Sequence, residues 1–172
     1  MAFKVIGSLN PHGAPVLRRA IIKNSITTVQ MDSMKVVSGF TELGTTGALV
    51  FGHLVAHSTN EGVGLNTTGA AGAAVGSYAG SYASASDNQT VGKVKAECDI
   101  SKMTLYSAEE DAAIGTTTGS NLIGYSQDLT DEDTLDESTA ATTTGQYMGH
   151  GVDPTTAANA VVNIYESVIF GV

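Results

Sequence analysis

The sequence predicts an all-β protein: a small β-sandwich or barrel of about seven short strands, with long Gly/Ala/Thr-rich loops and an extended N-terminal arm. Three observations lead to this prediction. Short runs of β-branched and aromatic residues recur along the chain, Gly, Thr and Asn turns separate them, and small or apolar residues alternate in the clearest runs. The 172 residues suffice for one β domain, which we place at 28–172, preceded by an arm at 1–27.

The arm combines turn-forming residues with a basic and apolar segment. Residues 10–15 contain two prolines and a glycine, which favours a turn, and residues 16–22 fit a short helix or a strand equally well. Residues 1–35 hold five of the eight Lys and Arg residues, whereas the rest of the chain is acidic. We therefore expect the arm to lie on its own body, on a neighbouring copy or on an acidic partner. The interface residues expected here are Leu17, Arg18, Arg19, Ile21 and Ile22.

The β domain is predicted from runs of extended character. Its predicted strands are 28–40, 48–57 (a strand pair or one long bent strand), 89–100, 103–106, 122–125 and 160–170. The clearest is 89–100, because small and apolar residues alternate from Val94 onward and so place Cys98 in the core. Ser107 and Glu110 have the spacing of a capping box, which predicts a turn or two of helix.

The segment 66–88 is a low-complexity stretch of Gly, Ala, Ser and Thr. Such a composition cannot form a core of its own, and loops of this length are seldom free in a compact domain. We expect it to protrude from the domain or to clasp a neighbouring subunit. Small residues let two backbones approach closely, and Tyr78 and Tyr82 would supply the anchoring side chains of that contact.

No catalytic or metal-binding motif stands out. His53 and His57 lie in a predicted strand, where they would share a face about 13 Å apart, too far for one zinc ion. The acidic run 128–137 lacks the glycine and the complete ligand spacing of a calcium loop, so it is interpreted as a solvated turn. A core-facing Cys98 would be inert, and no nucleophile elbow or phosphate-binding loop is present. The expectation is a non-enzymatic protein without a metal or other cofactor.

Charge and hydropathy set further expectations. The net charge of −9 and the sequence pI of about 4.6 argue against a nucleic-acid partner, since phosphate binding needs a basic face. No apolar run reaches the length of a membrane-spanning helix, and the first residues lack the apolar core of a secretory leader. We therefore expect a protein made in the cytoplasm that binds no membrane.

In its length, composition and strand pattern, the whole chain resembles the decoration (cement, or auxiliary capsid) proteins of tailed bacteriophages. The resemblance rests on chain length, the Gly/Thr/Ala/Ser-rich β pattern, the turn at 43–47, the small-residue stretch 67–75 and the strand at 161–165. It implies a structural virion protein, a homotrimer bound to major capsid protein subunits, which stabilises the outer surface of the capsid. It assigns no individual functional residue.

Two alternatives remain open. The same composition is found in tail-tube and fibre-base proteins, and one alternative is a tail-tube or head–tail connector component, which would form rings by joining strand edges. A carbohydrate-binding extracellular β module would instead need a cluster of aromatic side chains. The candidates for such a platform are Tyr78, Tyr82, Tyr125 and Tyr147.

Overall fold

The computed structural model describes residues 3–10, 15–59, 81–92, 94–112, 114, 123–141 and 145–165. It confirms the all-β class, with thirteen strands and one four-residue helix among the described residues instead of about seven strands. The strands are β1 (Lys4–Ser8), β2 (Leu17–Ile21), β3 (Thr27–Val29), β4 (Ser33–Val37), β5 (Phe40–Leu43), β6 (Gly52–Thr59), β7 (Ser81–Ala83), β8 (Val94–Asp99), β9 (Thr104–Glu110), β10 (Ser126–Leu129), β11 (Thr134–Ala141), β12 (Tyr147–Val152) and β13 (Asn159–Ile164). The helix, α1 (Asn88–Val91), lies between β7 and β8.

The first half of the chain forms an antiparallel sheet in the order β2-β8-β6-β4-β5. This sheet curls until its two edges meet: Ile22 bridges to Thr41, and the amide of Lys23 donates to the Thr41 carbonyl at 2.8 Å. We call this unit the first barrel. A two-stranded ribbon of β3 and β7 packs against it. The apolar interior of the first barrel holds Ile22, Met34, Leu54, Tyr82, Val94, Ala96 and Cys98.

The sheet formed by the second half of the chain closes into a barrel more completely than the first sheet does. Its sheet runs β9-β11-β10-β12-β13, and β13 pairs again with β9, so five strands form a ring. We call this unit the second barrel. All its pairings are antiparallel except the one between β9 and β11. Its interior holds Tyr106, Ala108, Leu129, Leu135, Tyr147, Ala160, Val162 and Ile164.

The two barrels are joined by a short connector, 99–104, and by polar contacts across their junction. The Ser33 amide donates to the Glu132 carbonyl at 2.7 Å, and the Thr46 hydroxyl donates to the Leu129 carbonyl at 2.6 Å. The hydroxyl of Tyr147 lies 2.8 Å from Ser33 Oγ, within the buried junction. The junction therefore satisfies its backbone polar groups as a protein interior does.

Residues 3–10 and 15–27, expected to be an irregular arm in which 16–22 would form a short helix or a strand, contain two strands, β1 and β2, and β3 begins at Thr27. β1 crosses to the second barrel and pairs with β9, whereas β2 is a wall strand of the first barrel. The side chain of Phe3 precedes β1 and fills the junction, with its ring 4.3 Å from that of His53 and 5.0 Å from that of Tyr147. The arm is thus part of both barrels.

Three further expectations about local structure were wrong. Residues 123–125 of the predicted strand 122–125 lie in a turn that precedes β10. Ser107 and Glu110 lie in β9, because its long-range strand pairings override the local helix signal. The predicted strand 89–100 starts as α1, and Gly92, with a φ of 59°, ends this helix in the left-handed conformation before β8 begins. Of the segment 66–88, expected to protrude or clasp, residues 66–80 lie outside the described residues. Residues 81–88 do not protrude: β7 pairs with β3, and Asn88, at the start of α1, is buried.

Candidate interaction surface

Large apolar side chains are concentrated on the surface around the connector. Of the nine described large apolar side chains that are exposed by 41–51%, six lie on or beside β1, the start of β2 and the connector, and we call them the apolar pole: Val5, Ile6, Leu9, Val16, Leu17 and Met103. All five residues of β1 are exposed. The Leu9 amide donates to the Met103 carbonyl, and the Ile100 amide donates to the Val16 carbonyl, both at 2.8 Å. Residues distant in sequence therefore meet on one surface.

A buried carboxylate holds this surface in place. Asp99, at the start of the connector, is 3% exposed. Its Oδ1 accepts hydrogen bonds from the amides of Val16 (3.2 Å) and Ser101 (2.9 Å). Its Oδ2 accepts from the Thr104 hydroxyl (2.7 Å) and the Tyr106 hydroxyl (3.1 Å). Four hydrogen bonds fix the carboxylate, so the backbone beneath the apolar pole is well determined.

Cationic side chains surround the apolar pole. Lys4, Arg18 and Lys102 are exposed, and Arg19 forms an ion pair of 2.6 Å with Glu97 while its side chain remains 52% exposed. The surface is therefore apolar at its centre and positively charged near its edge, although the chain as a whole carries a net charge of −9.

The opposite end of β9 is acidic. The carboxylates near this end are those of Glu109, Glu110, Asp111, Asp128, Asp136 and Glu137. Those of Asp131, Glu132 and Asp133, in the turn between β10 and β11, extend from them toward Asp32 at the junction of the barrels, and we call all ten the acidic pole. Strand pairing brings them together, since Glu109 is opposite Thr134 and Asp128 is opposite Asp136. Seven residues of β9 separate its acidic end from the connector, a length of about 20 Å at about 3.3 Å per residue.

Two of these carboxyl groups are buried and have perturbed pKa values. Burial raises the pKa of Asp32 to about 7, and the charges of Glu132, Asp133 and Asp131 add to the effect. Burial likewise raises the pKa of Glu110 to about 7, with further contributions from Asp111, Glu137 and Asp136. Hydrogen bonds from the Val29 amide to Asp32 and from Gln127 Nε2 to Glu110 lower the two values only in part. The acidic pole thus disfavours its own full ionisation.

The predicted interface residues do not all lie at the surface. Leu17, at 45% exposed, belongs to the apolar pole, and Arg18 and Arg19 lie beside it. Ile21 is half-buried. Ile22 (0% exposed) and Tyr82 (5%) pack inside the first barrel, which corrects their assignment to an interface.

The remaining predicted anchor, Tyr78, lies outside the described residues. Sequence reasoning missed Val5, Ile6, Leu9 and Met103. The only signal that could have revealed them is the presence of large apolar residues within a segment otherwise rich in turns and cations.

The two central histidines lie on opposite faces of β6, not on one face. A bulge at Val55 shifts the register, so that Leu54 and His57 share one face and His53 points the other way. His53 donates through Nδ1 to the Met31 carbonyl (3.1 Å) in the junction, whereas His57 Nε2 lies 2.8 Å from the Thr28 hydroxyl. Burial lowers the pKa of each histidine to about 4. Both are neutral core side chains near neutral pH.

The other candidate reactive groups, the Cys98 thiol and the carboxylates of the acidic run 128–137, take part in packing or in local hydrogen bonds. Cys98 is buried in the first barrel, and burial raises the pKa of its thiol, which keeps the thiol protonated and unreactive. In the acidic run, Asp131 Oδ1 accepts from the Asp133 amide and Asp136 Oδ1 accepts from Ser138. Over the described part of the chain, no group of three or more His, Cys, Asp or Glu residues is placed to hold a metal ion.

The tyrosines proposed as a carbohydrate platform do not cluster at the surface. Tyr147 is fully buried in the second barrel and Tyr82 is buried in the first, so neither ring is open to a sugar. Tyr125, at 36% exposed, is the one candidate among the described residues whose ring reaches solvent.

The chain matches no known family model, no curated protein and no solved structure. Within the described residues, no helix is long and apolar enough to traverse a bilayer. The apolar pole and the acidic pole are therefore interpreted from their own chemistry.

Proposed function

We propose that this protein is a structural virion component, a decoration (cement) protein that binds major capsid protein subunits on the outer surface of a phage capsid and stabilises the lattice. It acts as a non-enzymatic homo-oligomer without nucleic-acid or membrane partners. The observation that carries the proposal is the apolar pole: six large apolar side chains, each 41–51% exposed, on or beside β1, the start of β2 and the connector.

The energetics favour burial of this surface in an assembly. Burying the exposed half of a large aliphatic side chain stabilises a complex by roughly 1 kcal/mol. Six such side chains close together can therefore support a stable contact, whereas scattered exposed apolar residues cannot. The net charge of −9 leaves the rest of the surface hydrated and poorly suited to packaged DNA. These features suit a protein on the outside of a shell.

The test compares purified capsid shells with and without the protein for resistance to heat and to low salt. The wild-type protein should raise the resistance. Leu17→Ser, on the apolar pole, should reduce both binding and protection. Leu49→Ser is the matched control, since Leu49 is 50% exposed but lies outside that pole. Shells that are equally resistant with and without the wild-type protein would exclude the cement role.

One observation favours the tail-tube or connector alternative. Among the described strands, β1 is the terminal strand of its sheet and all its residues are exposed, so its outer edge could pair with a strand of another subunit. Antibody labelling of intact particles distinguishes the two candidates. Label on the shell supports the cement role, and label confined to the tail supports the alternative.

A further inference from the structure

We propose that neighbouring copies of this chain exchange the tips of their N-terminal arms. In the exchanged pair, residues 3–9 of one copy, which we call the arm tip, pair with β9 and fill the junction of a second copy. This inference rests on the proposed structural role and deepens it by naming how copies on a shell are linked to one another. The contacts of the arm tip are the ones seen within the single chain, and only the copy that supplies it changes.

The rest of the chain forms a complete binding site for the arm tip. The ring of β9, β11, β10, β12 and β13 closes without β1, and the first barrel closes between Ile22 and Thr41. β1 is therefore an added strand on one edge of β9, paired from Lys4 opposite Ser107 to Ser8 opposite Thr104. Because release of the arm tip opens no ring of strands, the edge of β9 can accept the same strand from a second copy.

Phe3 makes this binding site specific for the arm tip. Its side chain is 2% exposed. The centroid of its ring lies 4.3 Å from that of His53, 5.0 Å from that of Tyr147 and 6.1 Å from that of Tyr106. These three partners belong to β6, β12 and β9, all distant from Phe3 along the chain, so they would receive the Phe3 ring of any copy equally well. A buried aromatic side chain is a typical anchor of a contact between chains.

The linker between β1 and β2 is long enough for exchange. Hydrogen bonds of 2.8 Å hold Leu9 and Val16 on the connector at the two ends of this linker. The connector spans the gap between these bonds with residues 101–102 alone, whereas the linker has the six residues 10–15. Six residues extend to about 20 Å. The arm tip can therefore reach a second copy while β2 remains paired with β8 of its own barrel.

The shell supplies the condition that favours exchange. Identical contacts form in either arrangement, so the main cost of exchange is the loss of freedom when two copies come together. Copies bound side by side on a shell are already held at a high effective concentration. In the exchanged pair, Val5 and Ile6 of one copy lie beside Leu17 of the other, so the apolar pole is built from two chains. Separation of the pair then requires both arm tips to leave their sites, which slows the loss of copies from the shell.

Disulfide trapping of the full chain tests the inference. Gly7 of β1 lies opposite Leu105 of β9, and a Cβ at Gly7 would be 3.9 Å from the Leu105 side chain, an ordinary contact. Chains with Gly7→Cys and chains with Leu105→Cys are mixed in urea and a thiol reductant, refolded at low and at high protein concentration, and then oxidised. The two cysteines lie in different molecules, so only exchange places them opposite each other, within disulfide range. A denaturing gel without reductant should show a linked dimer whose share rises with the concentration at refolding.

The matched control mixes Gly7→Cys with Val37→Cys. Val37 is 46% exposed at the end of β4, the strand that begins at the junction with Ser33. Accidental collisions should therefore link Val37→Cys at least as readily as a cysteine at the half-buried position of Leu105. The mixture with Leu105→Cys should exceed this control about tenfold or more. The wild type, whose Cys98 is buried, should give no linked dimer, and circular dichroism confirms that each variant folds.

Sedimentation velocity of the wild type, refolded at high concentration, is the second measurement. Dimers should form and persist after dilution, because each Phe3 ring must leave its site before the copies separate. A wild type that stays monomeric, or a Leu105→Cys mixture with no more linked dimer than the Val37→Cys control, would overturn the inference. If exchange fails and the wild type still protects shells, arm exchange is rejected and the cement role is retained. Exchanged copies that leave shells unprotected would reject the cement role alone.

Discussion

Replacing Glu110 by glutamine should stabilise the protein, and more so at higher pH. Glu110 is the last residue of β9 and is 7% exposed. Its two carboxylate oxygens accept from Gln127 Nε2 at 3.0 and 2.9 Å, and Gln127 Oε1 is buried without a hydrogen-bond donor. Asp111 of the same strand end, and Asp136 and Glu137 of β11, contribute unfavourable charge. A glutamine could accept from Gln127 Nε2 and donate to its Oε1.

The magnitude follows from the pKa of Glu110, which burial raises from the ordinary value of 4.5 to about 7. The folded protein thus retains a proton that the unfolded chain releases, so stability falls as pH rises through this window. When ionisation is complete, the cost is about 3 kcal/mol. Glu110→Gln should therefore gain up to about 3 kcal/mol near pH 8, but only about 1 kcal/mol or less near pH 5.

Urea unfolding of wild type and variant at these two pH values measures the gain. The difference between the two proteins is the informative quantity, because His53 and His57 oppose Glu110 in the absolute curve. Their pKa values, lowered to about 4, make stability rise with pH between about 4 and the ordinary value of 6.5. Glu109→Gln removes the same formal charge from the neighbouring, half-buried position. Equal gains for the two variants, or equal gains at both pH values, would refute the reasoning.

Three further predictions concern the core. Phe3→Ala should cost about 3 kcal/mol in urea unfolding, whereas Val5→Ala, at a side chain 51% exposed, should cost less than about 0.5 kcal/mol; equal costs would contradict the anchoring role of Phe3. Gly52→Ala puts a Cβ 2.4 Å from a backbone oxygen of β8 and should lower stability by about 2 kcal/mol, so an unchanged melting temperature would contradict this packing. Cys98 should react with a thiol reagent only after unfolding, and fast modification of the folded protein would contradict its burial.

Elements dominated by one half-buried face could be predicted from the sequence. Alternation from Val94 to Ile100 correctly placed Cys98 inside, and β8 has the expected buried and half-buried positions. The all-β class followed from the same type of signal. Closure of the barrels could not be predicted, because it depends on pairs such as β9 with β11 whose partners are distant along the chain.

Local signals failed where tertiary pairing decided the outcome. The capping-box spacing of Ser107 and Glu110 is a valid helix signal, yet β9 pairs with three other strands and holds both residues extended. The predicted common face of His53 and His57 failed because of one inserted residue, Val55, which reverses the side-chain alternation beyond it. No feature of the sequence around Val55 reveals the bulge.

The candidate surface was only partly predictable for a related reason. Leu17 and Arg18 were expected at an interface from the mixture of charge and apolar character in the arm. Met103 joins them only because the connector returns beneath Leu9 and Val16, with Asp99 accepting hydrogen bonds from both sides of that crossing. Sequence reasoning identified the chemistry of the segment, whereas the contact surface needed the fold.

The positions of the apolar side chains support a role within an assembly more strongly than their number does. The chain contains no Trp, four Phe and six Tyr, so large side chains for the core are scarce. Even so, Phe3 is buried in the junction directly before β1, and β1 then exposes Val5 and Ile6. Because the buried ring positions β1 and the exposed residues take no part in the core, stability and association depend on different side chains. Substitutions at Val5 or Ile6 should consequently weaken association without changing the unfolding transition, as expected for a surface that is covered only in the assembly.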